Sequence, residues 1–119
     1  QTGLLTGTAW DTVCHWIKSD DELKDSRTYG NYKNSLAPAN ENSGTKRTAG
    51  FNENWKVKNI YDLAGNVWEW TSEAYSSISI SRGGSYDYGG SDFPVSCRDR
   101  DSASGANGVT GFRLRLYIK

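Results

Sequence analysis

Between Ser19 and Asn54 the chain has almost no apolar periodicity: Asn, Ser, Asp, Lys and Gly dominate, and Pro38 interrupts the run. A polar stretch of that length cannot supply a helix or strand with a buried face, so the fold must hang it as loops and turns between elements on either side. Tyr29, Tyr32, Leu36, Phe51 and Trp55 are spaced through it. A disordered linker would share this composition, but the spaced aromatics are expected to pin ordered loops to a core.

The flanking segments are more regular. From Thr8 to about Lys18, the residues Ala9, Trp10, Val13, Cys14 and Ile17 recur at spacings of three and four, which predicts a helix with one buried stripe. Thr8 is the expected N-cap, with Asp11 in the first turn. His15 lies off the stripe and is expected to be solvated, with Asp11 as its local carboxylate. Phe112, Leu114, Leu116 and Ile118 alternate with Arg113, Arg115 and Tyr117, the pattern of a half-buried strand. Ile78 and Ile80 alternate with serines ahead of Arg82-Gly83-Gly84-Ser85, a strand running into a glycine-bearing bend. A further short strand is expected over Val95 to Arg100. Together these give an α+β domain in which short antiparallel strands and one main helix carry long loops.

With 119 residues, 13% of them aromatic, the chain can bury one core. A mean hydropathy of -0.74 fits a loop-rich chain. No apolar run reaches the roughly 20 residues of a membrane-spanning helix, so no membrane insertion is expected. Fourteen basic and fourteen acidic residues leave no net field for a phosphate backbone, which argues against nucleic acid. Cys14 and Cys97 are the only cysteines and lack zinc or redox spacing; one bridge between them is open but not implied. The chain begins at Gln1 and contains no Met, so the expectation is that residues 1–119 form one domain at the C-terminal part of a longer polypeptide.

Three blocks follow one another in order: Asn59-Ile60-Tyr61-Asp62-Leu63-Ala64-Gly65-Asn66-Val67-Trp68-Glu69-Trp70, then Arg82-Gly83-Gly84-Ser85-Tyr86, then Gly111-Phe112-Arg113. Together they resemble the signature of the formylglycine-generating enzyme, or sulfatase-modifying factor, superfamily. The helix opened by Leu5-Thr6-Gly7-Thr8-Ala9-Trp10-Asp11 is similar to the family's helix ahead of that signature. The resemblance implies a C-type-lectin-like fold. Trp68 and Trp70, two apart in an extended segment, share a face and are expected to be core pillars. Gly65 permits a turn closed to other residues, and the Asn66 side chain is expected to bond that turn.

In the family this turn often surrounds calcium, and the resemblance implies as ligands the side chains of Asp62 and Glu69 and the carbonyls of Gly65 and Val67. Hard oxygen donors suit such an ion in a structural role. Equally open is that Asp62 and Glu69 bond only backbone amides.

The resemblance does not extend to catalysis. Family enzymes hold copper through a cysteine pair soon after R-G-G-S, whereas here Tyr86, Asp87 and Tyr88 follow that motif. Related iron enzymes need several histidines, and this chain has only His15. Neither copper nor iron is therefore expected, and the chain is read as a non-catalytic member. Asp99 and Asp101 alternate with Arg98 and Arg100, which puts the acids on one strand face and suggests ion pairs.

A scaffold with long loops and no chemistry points to binding. The segment from Tyr86 to Thr110 mixes Tyr, Asp, Gly, Ser, Phe and Asn, in which aromatics supply contact area and small polar residues adapt. It is also similar to the variable region of diversity-generating retroelement proteins, which lies between R-G-G-S and a terminal G-F-R. The expected ligand-binding residues are Tyr86, Asp87, Tyr88, Asp92, Phe93, Cys97, Asp99, Asp101, Ser102 and Ser104. The expected partner is a protein or carbohydrate receptor, met from a phage particle or bacterial surface. Two alternatives stay open: an oxidoreductase whose metal ligands lie outside this chain, and a structural domain of a larger particle.

Overall fold

The computed structural model describes residues 1–36, 43–102 and 107–116. Strand β1 (Thr2–Leu4) leads into helix α1 (Gly7–Ile17), which buries Trp10, Cys14 and Ile17 along one stripe. Its N-cap is Thr6, not the expected Thr8. Thr6 leaves the helical backbone (φ −76°, ψ 160°), and its Oγ1 accepts from the amide of Ala9 at 3.0 Å. Thr8 lies inside the helix, and its carbonyl accepts from the Thr12 hydroxyl at 2.8 Å. Asp11 thus falls beyond the first turn and pairs with Arg82. His15 is solvated as expected, but its neighbour is Asp20, 3.2 Å from Nδ1.

The long polar stretch is ordered over its described residues. Short 3-10 turns at Glu22–Lys24 and Glu53–Trp55 break it. Tyr29, Tyr32 and Trp55 are buried as anchors, whereas Leu36 and Phe51 are exposed, Phe51 stacking over Trp55 from outside. The core gathers Trp10, Cys14, Leu23, Tyr29, Tyr32, Leu63 and Val95 between α1 and these loops. Strands β2 (Lys56–Val57) and β3 (Ile60–Tyr61) form a hairpin. Its two turn residues, Lys58 and Asn59, both have positive φ (47° and 65°), the turn that matches strand twist.

The main sheet contains β4 (Trp68–Tyr75), β5 (Ile78–Arg82), β6 (Arg98–Ser102) and β7 (Thr110–Phe112), in the order β6-β5-β4-β7. β7 joins β4 in parallel; the other pairings are antiparallel. A second pair joins β1 to β8 (Leu114–Leu116). β5 runs into the glycine bend as expected. β6, however, starts three residues later than expected, because Val95 is a core plug held in a loop. Its amide donates to Ser26 Oγ at 2.8 Å and its carbonyl accepts from the Trp10 indole at 2.9 Å.

Two expectations about faces fail. Trp68 is buried, but Trp70 is only partly covered and lines a surface groove with Leu4, Phe112 and Leu114. The final apolar alternation is also turned outward: Phe112, Leu114 and Leu116 are 62–69% exposed, while Arg113 and Arg115 are the better-buried residues. The reason for the first arginine is an interior partner, described below. Tyr117 and Ile118 lie outside the described residues.

Candidate functional site

β5 ends at Arg82, whose guanidinium is almost fully buried. It pairs with Asp11, donates from Nε to the Cys97 carbonyl at 3.2 Å and from Nη2 to the Ser96 carbonyl at 3.1 Å. One side chain thus ties the helix, the sheet and the end of the loop that follows. Gly84 (φ 77°) lies so close to the Phe93 carbonyl and the Tyr32 ring that a Cβ would overlap both.

The loop from Ser85 onward is fastened to the segment around residues 26–36. The Lys33 amide donates to the Tyr88 carbonyl at 3.0 Å, and the Ser26 amide to the Gly90 carbonyl at 2.9 Å. The Gly90 amide donates to Asn34 Oδ1 at 2.9 Å. Three rings stack beneath the loop. Phe93 packs edge-on to Trp68 (5.9 Å between centroids), and Tyr88 lies 4.6 Å from Phe93 and 6.3 Å from Trp68. Tyr88 is 42% exposed and Phe93 half-buried, so Tyr88 is displayed and Phe93 underlies it.

The structure brings part of the sequence-derived set together. Tyr86 is half-buried; Asp87 and Asp92 are exposed beside Tyr88, and Asp87 accepts from the Ser85 hydroxyl. Cys97 is half-buried, and burial raises its thiol pKa above the ordinary value. Asp99, Asp101 and Ser102 are exposed on edge strand β6. Arg98 reaches Glu73, the partner that strand alternation could not name. Ser104 lies outside the described residues. Lys33 and Asn34, exposed beside the loop, belong to the same surface but were missed, because nothing in a polar loop sequence says which other loop it touches.

A cavity of about 590 Å³ is lined by Tyr61, Asp62, Val67, Glu69, Phe112 and Arg113, among others. Glu69 is buried, and both of its oxygens are taken by Arg113: Nε donates to Oε2 at 2.6 Å and Nη2 to Oε1 at 2.8 Å. Nη2 also donates to the Tyr61 carbonyl at 2.9 Å. Asp62 is buried, with one oxygen accepting from the Gly50 amide at 2.9 Å. Burial raises the pKa of both carboxyls, more than their hydrogen bonds and Arg113 lower it. Gly65 (φ 72°) sits so close to the Asn31 backbone that no Cβ would fit. Asn66 does not bond its own turn: Nδ2 donates to the Arg47 carbonyl at 2.9 Å, and Oδ1 accepts from the Arg47 amide at 3.0 Å.

Of the expected calcium set of Asp62, Gly65, Val67 and Glu69, the two carboxylates have protein partners in this arrangement. Glu69 gives both oxygens to a guanidinium, and Asp62 gives one to the Gly50 amide. No cluster of three or more His, Cys, Asp or Glu suited to a metal occurs among the described residues.

The sequence profile of the sulfatase-modifying factor enzyme 1-like domain matches residues 9–117. The chain belongs to that family. Among solved structures, this sulfatase-modifying-factor-like domain is similar to Treponema denticola variable protein 1, with a TM-score of 0.65 and 21% identity. The likeness covers 95% of this chain and 46% of that one, so the chain spans less than half the length of this structural relative. The fold is accordingly C-type-lectin-like and α+β. No curated protein matches the chain.

Proposed function

We propose that this domain is a non-enzymatic binding module, displayed from a phage particle or bacterial surface, whose contact surface is the segment from Tyr86 to Ser102. The observation that carries the proposal is the Trp68–Phe93–Tyr88 stack, in which a buried ring supports a half-buried one and that supports an exposed one. Such a stack offers aromatic contact area already fixed in place, so little side-chain entropy is lost on binding. Around Tyr88 stand exposed Asp87 and Asp92, and farther along the chain Asp99, Asp101 and Ser102. These short polar side chains are exposed and suit a protein or carbohydrate receptor. The name of the structural relative, a variable protein, agrees with a surface whose side chains change while the frame stays fixed.

The test is a display library randomised at Asp87, Tyr88, Asp92, Asp99, Asp101 and Ser102. Its members are expected to keep the parent melting temperature within a few degrees and to yield binders to a test protein such as lysozyme. A library randomised at as many exposed positions of α1 is expected to yield none. Widespread unfolding of the first library, or equal yields from both, would refute the reading. Diversification in nature has its own signature: a near-copy of the 3′ coding end differing only at adenines, beside a reverse transcriptase gene.

A further inference from the structure

Strand β6 ends the main sheet on one side: among the described residues it pairs with β5 alone, and all of its residues from Arg98 to Ser102 are exposed. An antiparallel strand turns alternate amides toward its neighbour and the others away, so an edge strand offers outward donors on which a further strand can build. Arg100 and Ser102, two apart, fall on the same side of that alternation. Both of their amides are taken by side chains: that of Arg100 donates to Asp99 Oδ1 at 2.8 Å and that of Ser102 to Asp101 Oδ1 at 2.7 Å. Each aspartate thus occupies the backbone donor of the residue after it. The strand that matches this edge in length and extended shape is β6 of a second copy. Two identical edges meeting antiparallel use the same outward residues, so in every register Asp99 and Asp101 would face each other across the pair, as would the arginines, and like charges directly opposite disfavour pairing.

We propose that Asp99 and Asp101 guard the sheet edge: by holding the Arg100 and Ser102 amides they keep β6 from pairing with β6 of a second copy of this chain. The guard acts whether or not the loop binds a receptor. It does set a condition on the contact surface. Positions 99 and 101 accept only short side chains with an acceptor oxygen, namely Asp, Asn, Ser or Thr, if the edge is to stay closed.

The test compares the parent with three double variants that lose the same two negative charges: Asp99→Ala with Asp101→Ala, Asp99→Asn with Asp101→Asn, and Asp20→Ala with Asp21→Ala, the last at exposed carboxylates outside the sheet. Sedimentation velocity over a concentration series measures association, and circular dichroism checks that each variant is folded. The alanine variant at 99 and 101 is expected to rise toward the mass of a dimer as concentration increases, with NMR line broadening confined to residues 98–102. The parent, the asparagine variant, whose side-chain oxygens still accept, and the variant at 20 and 21 are expected to stay monomeric. Hydrogen exchange in dilute solution reads the caps directly: protection of the Arg100 and Ser102 amides is expected to fall roughly 3- to 10-fold in the alanine variant and to persist in the asparagine one. The proposal is overturned if the alanine variant stays monomeric, if its broadening maps elsewhere, if either of the other variants associates as readily, or if the two amides keep their protection without the aspartates.

Discussion

Replacing Arg113 by Met removes the cation paired with Glu69 while keeping most of the side-chain length. The Glu69 side chain is 7% exposed and that of Arg113 28%, and the pair shares two hydrogen bonds with a third to the Tyr61 carbonyl. Breaking a pair this buried leaves an uncompensated charge and costs about 3–5 kcal/mol, against about 0–1 kcal/mol for an exposed bridge. For a domain of this size that corresponds to a fall in melting temperature of roughly 12–20 °C. Adding Glu69→Leu to Arg113→Met removes the stranded charge, so the double variant is expected to recover most of the loss. Urea unfolding of the parent, both single variants and the double variant measures this coupling. Acid supplies a second check. Burial already raises the Glu69 pKa in the parent, and without Arg113 it rises further, so the deficit of Arg113→Met shrinks as pH falls through these raised values and Glu69 becomes neutral first in the variant and then in the parent. A cost for Arg113→Met below about 1 kcal/mol, or a deficit independent of pH, would refute the claim that this arginine compensates a buried charge.

Asp62, whose folded pKa is raised by burial, makes its favourable contribution below the ordinary value of 3.8 and loses it as pH rises through the raised folded value. Asp62→Asn is therefore expected to be more stable than the parent at neutral pH, with the two melting temperatures converging toward pH 3; equal pH profiles would show that burial does not penalise this carboxylate. Gly84→Ala places a Cβ against the Phe93 carbonyl at a φ of 77°, and is expected to destabilise by about 1–3 kcal/mol in urea unfolding.

The helix stripe was legible because Trp10, Cys14 and Ile17 repeat at a helical period, and the bend after Arg82 because paired glycines mark backbone closed to other residues. The three motif blocks were legible as a family signature, and the fold follows from it. In the candidate surface, the displayed ring of Tyr88 and the exposed acids of the same loop were within reach of composition alone. The support of that loop by Lys33 and Asn34 was not, since their partners lie more than fifty residues away.

Sequence by itself determined which side chains share a face and where the backbone must turn, because both depend on neighbours within a few residues. Which face ends up inside was decided only by tertiary structure. Phe112, Leu114 and Leu116 alternate as a buried strand should, yet they face outward because the Glu69 carboxylate, 44 residues from Arg113, draws that arginine inward. The same long-range pairing gives Glu69 a guanidinium partner. A carboxylate's spacing gives its reach, but what cation meets it depends on which distant segment the fold brings alongside.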